Sequence, residues 1–213
     1  MEEPFESGIL HHPDRSTGEA LVLTHGAGSN ANAPLLVRLA RAFAEAGFLT
    51  LRYDLPFRRQ RPKGPPFPAH AARDREGIAQ AIEAMRRLAG GRIFAGGHSY
   101  GGRQTAMLMA ERPGLASGLL LLSYPLHPPG KAEQKRTGFF PEVRTPALFV
   151  HGARDPFASI EELREAMALI PAPTDLLEVE GAGHDLKRAA DLAPEILTRF
   201  RDVCGAAGGT VIF

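Results

Sequence analysis

Six short apolar runs alternate along this chain with longer stretches whose apolar residues recur at helical spacing. That alternation constrains the fold more than any other feature. The runs are Ala20–Thr24, Phe48–Tyr53, Ile93–Gly96, Gly118–Ser123, Ala147–His151 and Asp175–Val179. Short buried runs separated by helices read as parallel strands joined by crossovers. Between the first two runs, Leu35, Leu36, Leu39 and Phe43 fall on one stripe of a helix. Ile78, Ile82 and Met85 mark the next helix, and Leu163, Met167 and Ile170 a later one. A final helix is expected from about Leu186 to Val203, with Leu192, Ile196 and Phe200 inward. The expectation is an α/β protein: a mostly parallel central sheet of about six to seven strands with helices on both faces. No internal repeat or obvious linker divides the 213 residues, so residues 1–213 are expected to form a single domain.

Charge and cysteine content exclude several function classes. The formal net charge is +1, which gives no overall attraction to nucleic acid or to an anionic membrane. Cys204 is the sole cysteine, so neither an intramolecular disulfide nor a multi-cysteine zinc site is available. His11-His12 is adjacent rather than spaced along a helix face, and no metal or other cofactor is expected. The start, Met1-Glu2-Glu3-Pro4-Phe5, lacks the basic-then-apolar layout of a secretory leader. The longest aliphatic run, Leu119–Leu122, is too short to span a bilayer. A soluble, cytoplasmic protein without membrane or nucleic-acid partners is the expectation; oligomeric state stays open.

Chemistry concentrates in Gly97-His98-Ser99-Tyr100-Gly101, which follows an apolar run and precedes a helix-compatible segment. A serine on a sharp strand-to-helix turn projects its Oγ above the sheet, and small residues two positions either side let strand and helix approach. Serine is a poor nucleophile near pH 7 and needs a base. Asp155 follows the fifth run and His184 the sixth, so both fall on loops at the carboxyl edge of a parallel sheet, on the same edge as Ser99. The expected roles are attack by Ser99, proton transfer by His184, and orientation of that imidazole by Asp155. Asp185 is the weaker choice of acid, because it would have to fold back on its neighbour. The developing oxyanion needs two N–H donors. The backbone of Tyr100 and, from Thr24-His25-Gly26-Ala27-Gly28, that of Ala27 are expected to supply them, with Gly28 second. His98 is expected to pack beneath the turn, His25 to shape the oxyanion loop, and His151 to be structural.

His25-Gly26-Ala27-Gly28, the serine turn, Gly152-Ala153-Arg154-Asp155 and Gly183-His184 together resemble the α/β-hydrolase superfamily over nearly the whole chain. His25–Asn30, Gly101-Gly102-Arg103 and Ser123-Tyr124-Pro125-Leu126 are similar more narrowly to the dienelactone-hydrolase-like group. That group includes a testis-expressed protein and a chromatin-complex subunit. The resemblance implies an α/β-hydrolase fold and a serine hydrolase, carboxylesterase-like or thioesterase-like, cleaving a small ester or thioester through an acyl-enzyme. Its alternative is a non-catalytic scaffold or binding protein. Dienelactone hydrolases proper use cysteine where this chain has Ser99, so their substrate does not carry over. In many relatives a lid follows the fourth strand; here only Pro125–Pro146 is available, and no separate lid domain is expected. The proline-rich basic stretch Leu55–Pro68 brings Arg59 and Arg61 to the same sheet edge. Together with Arg103 they are candidate contacts for an anionic substrate. The apolar end, Thr210–Phe213, has no assigned role.

Overall fold

The computed structural model describes residues 1–187 and 189–205, in which eight strands build one sheet. They are β1 (Glu2–Phe5), β2 (Gly8–His11), β3 (Ala20–Thr24), β4 (Leu49–Tyr53), β5 (Ile93–His98), β6 (Leu119–Leu122), β7 (Ala147–Gly152) and β8 (Thr174–Val179). Their order across the sheet is β1-β2-β4-β3-β5-β6-β7-β8. The pairs from β4 through β8 are parallel, whereas β1–β2 and β2–β4 are antiparallel. The helices among the described residues are α1 (Pro34–Glu45), α2 (Pro56–Gln60), α3 (Ala71–Leu88), α4 (Tyr100–Glu111), α5 (Ile160–Met167) and α6 (Ala193–Gly205).

Side chains alternate across the parallel strands, and both faces are covered. Leu119 and Leu121 of β6 join one core with Ile78 and Ile82 of α3, Met109 of α4 and Leu163 of α5. Leu120 and Leu122 point the other way, into a second core with Leu36 and Phe43 of α1 and Ile196 and Phe200 of α6. A strand buried on both faces reads as an unbroken apolar run, which is why these strands are visible in the sequence. The second core is braced by edge-to-face rings: Phe43 lies 5.3 Å from Phe48, and Phe94 5.1 Å from Phe200.

Two expectations need correction. The sheet has eight strands, not six or seven, because the β1–β2 hairpin carries little apolar signal. Glu2, Glu3 and Pro4 are exposed, and the hairpin is fixed by antiparallel pairing of β2 onto β4. The last helix begins at Ala193, after a 3-10 turn at Ala189–Leu192, and not near Leu186. Pro194 explains the shift: it lacks an N–H and suits only the first helical turn. The stretch 125–146 holds one 3-10 turn, Phe140–Glu142, whose Phe140 is buried against Tyr124 and Phe149. No helix among the described residues is long and apolar enough to cross a membrane. Thr210–Phe213 lies outside the described residues.

Candidate active site

Between the end of β5 and the start of α4, Ser99 adopts φ 51° and ψ −116°. A non-glycine residue at positive φ costs about 1–3 kcal/mol and persists only where its surroundings fix it. Here the Ser99 N–H donates to Leu122 O at 2.8 Å, and its carbonyl accepts from Arg103 N–H at 2.9 Å. The glycines two residues away are steric necessities. A Cβ on Gly97 would come within 2.5 Å of Thr24 O, and one on Gly101 within 2.5 Å of His25 O. Strand β3 therefore presses directly against both arms of the turn, and the serine is lifted to the sheet's carboxyl edge.

Ser99 Oγ lies 2.8 Å from His184 Nε2, and His184 Nδ1 lies 2.8 Å from Asp155 Oδ2. Asp155 follows β7 and His184 follows β8, so neighbouring parallel strands deliver both. Burial by itself would raise the Asp155 carboxyl. Hydrogen bonds from His184 and from the Phe157 N–H more than offset it, holding the group below its usual range. Asp155 is thus an anion, Nδ1–H donates to it, and Nε2 is left to accept from the serine hydroxyl. Phe157 lies against one face of the imidazole at 4.2 Å between centroids, and His98 approaches it at 5.2 Å. His98 donates from Nε2 to His184 O at 2.7 Å, and burial lowers its pKa, so it anchors the histidine loop as a neutral ring.

The two expected oxyanion donors, the amides of Ala27 and Tyr100, have no protein acceptor among the described residues. Tyr100 opens α4, where amides lack intrahelical partners and the helix dipole favours negative charge. The direction of the Ala27 N–H is set by the preceding peptide. Gly26 O accepts from His25 Nδ1 at 2.9 Å and from Ser29 N–H at 3.1 Å. In a trans peptide the carbonyl and the N–H point oppositely, so fixing Gly26 O aims the Ala27 N–H away from it. His25 Nε2 accepts from Leu55 N–H at 3.1 Å, which fixes the tautomer, and burial lowers its pKa.

Several supporting residues carry weak sequence signals. Arg58 is buried and donates to Ala27 O and Ser29 O, both at 2.7 Å, so a loop cation braces the loop after β3 from within. In the sequence it is indistinguishable from its exposed neighbours. Asp74, fully buried, accepts from Tyr100 Oη at 2.7 Å and from Phe57 N–H at 3.0 Å, linking the start of α4 to α2. Its one signal is an acidic residue in the first turn of a helix. His151 is buried beside the acid, with Nε2 3.2 Å from Ala158 O and 3.6 Å from Asp155 Oδ2.

Of the arginine candidates, Arg59 donates to Ser7 Oγ in the β1–β2 turn, and Arg61 stacks at 4.7 Å over Phe67. Arg103, in the first turn of α4, has a buried Nε with no partner among the described residues. Asp185 pairs with Lys187 at 3.2 Å, and Asp175 with Arg199 at 3.1 Å; neither serves His184. No cluster of three or more metal-ligating side chains occurs among the described residues.

Comparison with known proteins matches residues 17–201 to the profile of a family described as an alpha/beta hydrolase domain. Cutinase est2 from Thermobifida alba is 25% identical over 185 residues, covering 84% of this chain and 57% of that protein. The chain therefore spans little more than half the length of that relative. Among solved structures, dienelactone hydrolase from Anabaena variabilis superposes with a TM-score of 0.72 at 19% identity, covering 94% of this chain and 98% of that one. Est1E from Butyrivibrio proteoclasticus gives 0.73 at 18%, covering 97% and 98%. A serine hydrolase homologue from Coxiella burnetii gives 0.72 at 18%, covering 93% and 95%.

Proposed function

The chain belongs to the alpha/beta hydrolase domain family, and from that premise we propose that it is a serine hydrolase cleaving small esters or thioesters through an acyl-enzyme. The observation that carries this reading is the unbroken relay Ser99 Oγ–His184–Asp155, with both links at 2.8 Å. Residues 1–213 act in it as one catalytic domain.

Ser99 Oγ attacks the carbonyl carbon while its proton passes to His184 Nε2. The carbonyl π electrons move onto oxygen, which receives hydrogen bonds from the Ala27 and Tyr100 amides. Asp155 stabilises the imidazolium and stays ionised. Collapse of the tetrahedral intermediate expels the alcohol or thiol, which takes the proton from Nε2 and leaves an acyl-Ser99. Water then enters, gives a proton to Nε2, and releases the acid by the same steps. Each oxyanion donor is worth on the order of 3 kcal/mol of barrier. Arg103, one turn after Ser99 on α4, is the arginine this reading assigns to an anionic group on the substrate, through its terminal guanidinium nitrogens, because its Nε is buried. Arg59 and Arg61 are already engaged with Ser7 and Phe67.

The test is covalent labelling of the purified protein with a fluorophosphonate, followed by peptide mapping, beside Ser99→Ala. One adduct on Ser99, absent from the variant, is expected. An unlabelled, folded wild-type protein would mean that the hydroxyl is not activated and would favour a binding or scaffold role.

A further inference from the structure

We propose that His151, a buried imidazole outside the Ser99–His184–Asp155 relay, is a positioning residue for the acid: its Nε2–H pins the loop that carries Asp155 and so sets the geometry of His184. The inference rests on the serine hydrolase reading and adds to it a residue on which the rate of that chemistry depends.

The loop from Asp155 to Ala158 holds His184 at two places. Asp155 Oδ2 meets His184 Nδ1 at 2.8 Å, and the Phe157 ring lies 4.2 Å from the imidazole. At its start the loop is closed by two bonds: Asp155 N–H donates to Gly152 O at 3.0 Å, and Phe157 N–H donates to Asp155 Oδ1 at 2.9 Å. Its far end is tied to the rest of the molecule. Phe157 O accepts from His127 N–H at 3.1 Å, and Ala158 O accepts from His151 Nε2–H at 3.2 Å. The same ring nitrogen lies 3.6 Å from Asp155 Oδ2, so the positive end of its N–H dipole also faces the oxygen that serves His184. Both ends of the acid loop therefore converge on one atom, carried by strand β7 and not by a loop.

Packing alone does not account for an imidazole here. The Ala158 carbonyl can only accept, so the ring proton sits on Nε2 and Nδ1 is left as an acceptor. That Nδ1 is buried without a partner, and no other histidine nitrogen among the described residues is in that position. Burial keeps the ring neutral. A second unmatched atom stands next to it. Ser123 follows β6, and because Leu122 pairs with Val150 it is the neighbour of His151 across the sheet; its buried Oγ also lacks a partner. Unmatched polar atoms weaken the folded state, and an apolar ring at position 151 would fill the same space without that cost. What an apolar ring could not supply is the N–H between Ala158 O and Asp155.

The experiment compares the wild-type protein with His151→Phe, His151→Gln and His151→Asn. It reads kcat and KM on para-nitrophenyl acetate, and the low-field proton resonance of the His184 Nδ1–H. Phenylalanine keeps a planar ring and removes the donor, and kcat is expected to fall by up to about 10²-fold with little change in KM, as a small misplacement of a catalytic group does. The glutamine amide nitrogen reaches the place of Nε2, whereas that of asparagine reaches only the place of Nδ1. His151→Gln should therefore recover most of kcat and the wild-type resonance, and His151→Asn should recover neither. If the phenylalanine variant does not fold, the contrast between the two amides decides. Folded variants that all keep the wild-type kcat, or a glutamine variant as slow as the asparagine one, would overturn the assignment of His151 and leave the hydrolase reading intact. A wild-type protein inert toward the ester and unlabelled at Ser99 would overturn both.

Discussion

In the proposed mechanism His25 is a residue that touches no reacting atom and yet sets the geometry of one that does. Its ring is locked by Leu55 N–H on one side and by Gly26 O on the other, and the second bond aims the Ala27 amide. It is a positioning residue. His25→Leu keeps the bulk and removes both bonds, and the expected result is a fall in kcat of up to about 10² with little change in KM. His25→Asn, which retains a side-chain amide donor near Gly26 O, should restore part of the loss. A KM effect without a kcat effect would place His25 in substrate binding instead. At this scale the legible residues were those whose chemistry demands a motif: Ser99 in its turn, with Asp155 and His184 after strands. Arg58 and Asp74 were not legible, because an arginine in a basic loop and an aspartate at a helix start look the same whether buried or solvated. Only the loop's folding over Ala27 and Ser29 distinguishes Arg58 from Arg59.

Elements β3, β5 and α4 meet with almost no space between backbones, and the serine turn depends on that contact. Gly101 sits where a Cβ would run into Thr24 and His25. Gly101→Ala is expected to destabilise by about 1–3 kcal/mol through overpacking against backbone that cannot yield. It should also lower Ser99 labelling in the protein that remains folded, because α4 must move away from β3. A thermal melt together with the labelling yield checks both; a stable, fully reactive variant would show that the turn has room. The parallel strands were legible because burial on two faces leaves an uninterrupted apolar run. β1 and β2 were not, because β1 is largely exposed and pairs only with β2, and β2 buries just Leu10 and His11 where it pairs with β4. The late start of α6 was written in Pro194, but the helical periodicity through Leu192 masked it.

The molecule as a whole carries a set of buried neutral histidines, and this sets its response to acid. Burial lowers the pKa of His25, His98 and His151, and takes His11 down to about 4. Unfolded, each would titrate near 6.5. Above that pH neither state binds the proton, and stability is at its plateau. As pH falls below it, the unfolded chain gains protons that the folded chain refuses, so stability declines by about 1.4 kcal/mol per pH unit for each such histidine. The loss continues until pH reaches the folded-state values, and Asp155, with its lowered pKa, extends it to lower pH still. The melting temperature should therefore hold near neutrality and drop steadily from about pH 6.5 to 5; a flat profile across that interval would show that these rings are hydrated. The sequence by itself determined the layered α/β architecture and brought forward Ser99, Asp155 and His184 as the candidates for the proposed relay, because periodicity and motif are local properties of the chain. Tertiary structure alone decided which histidines are neutral struts and that Arg58, among the basic residues of its loop, braces Ala27 and Ser29. Those depend on what residues distant in the chain bring to the same place.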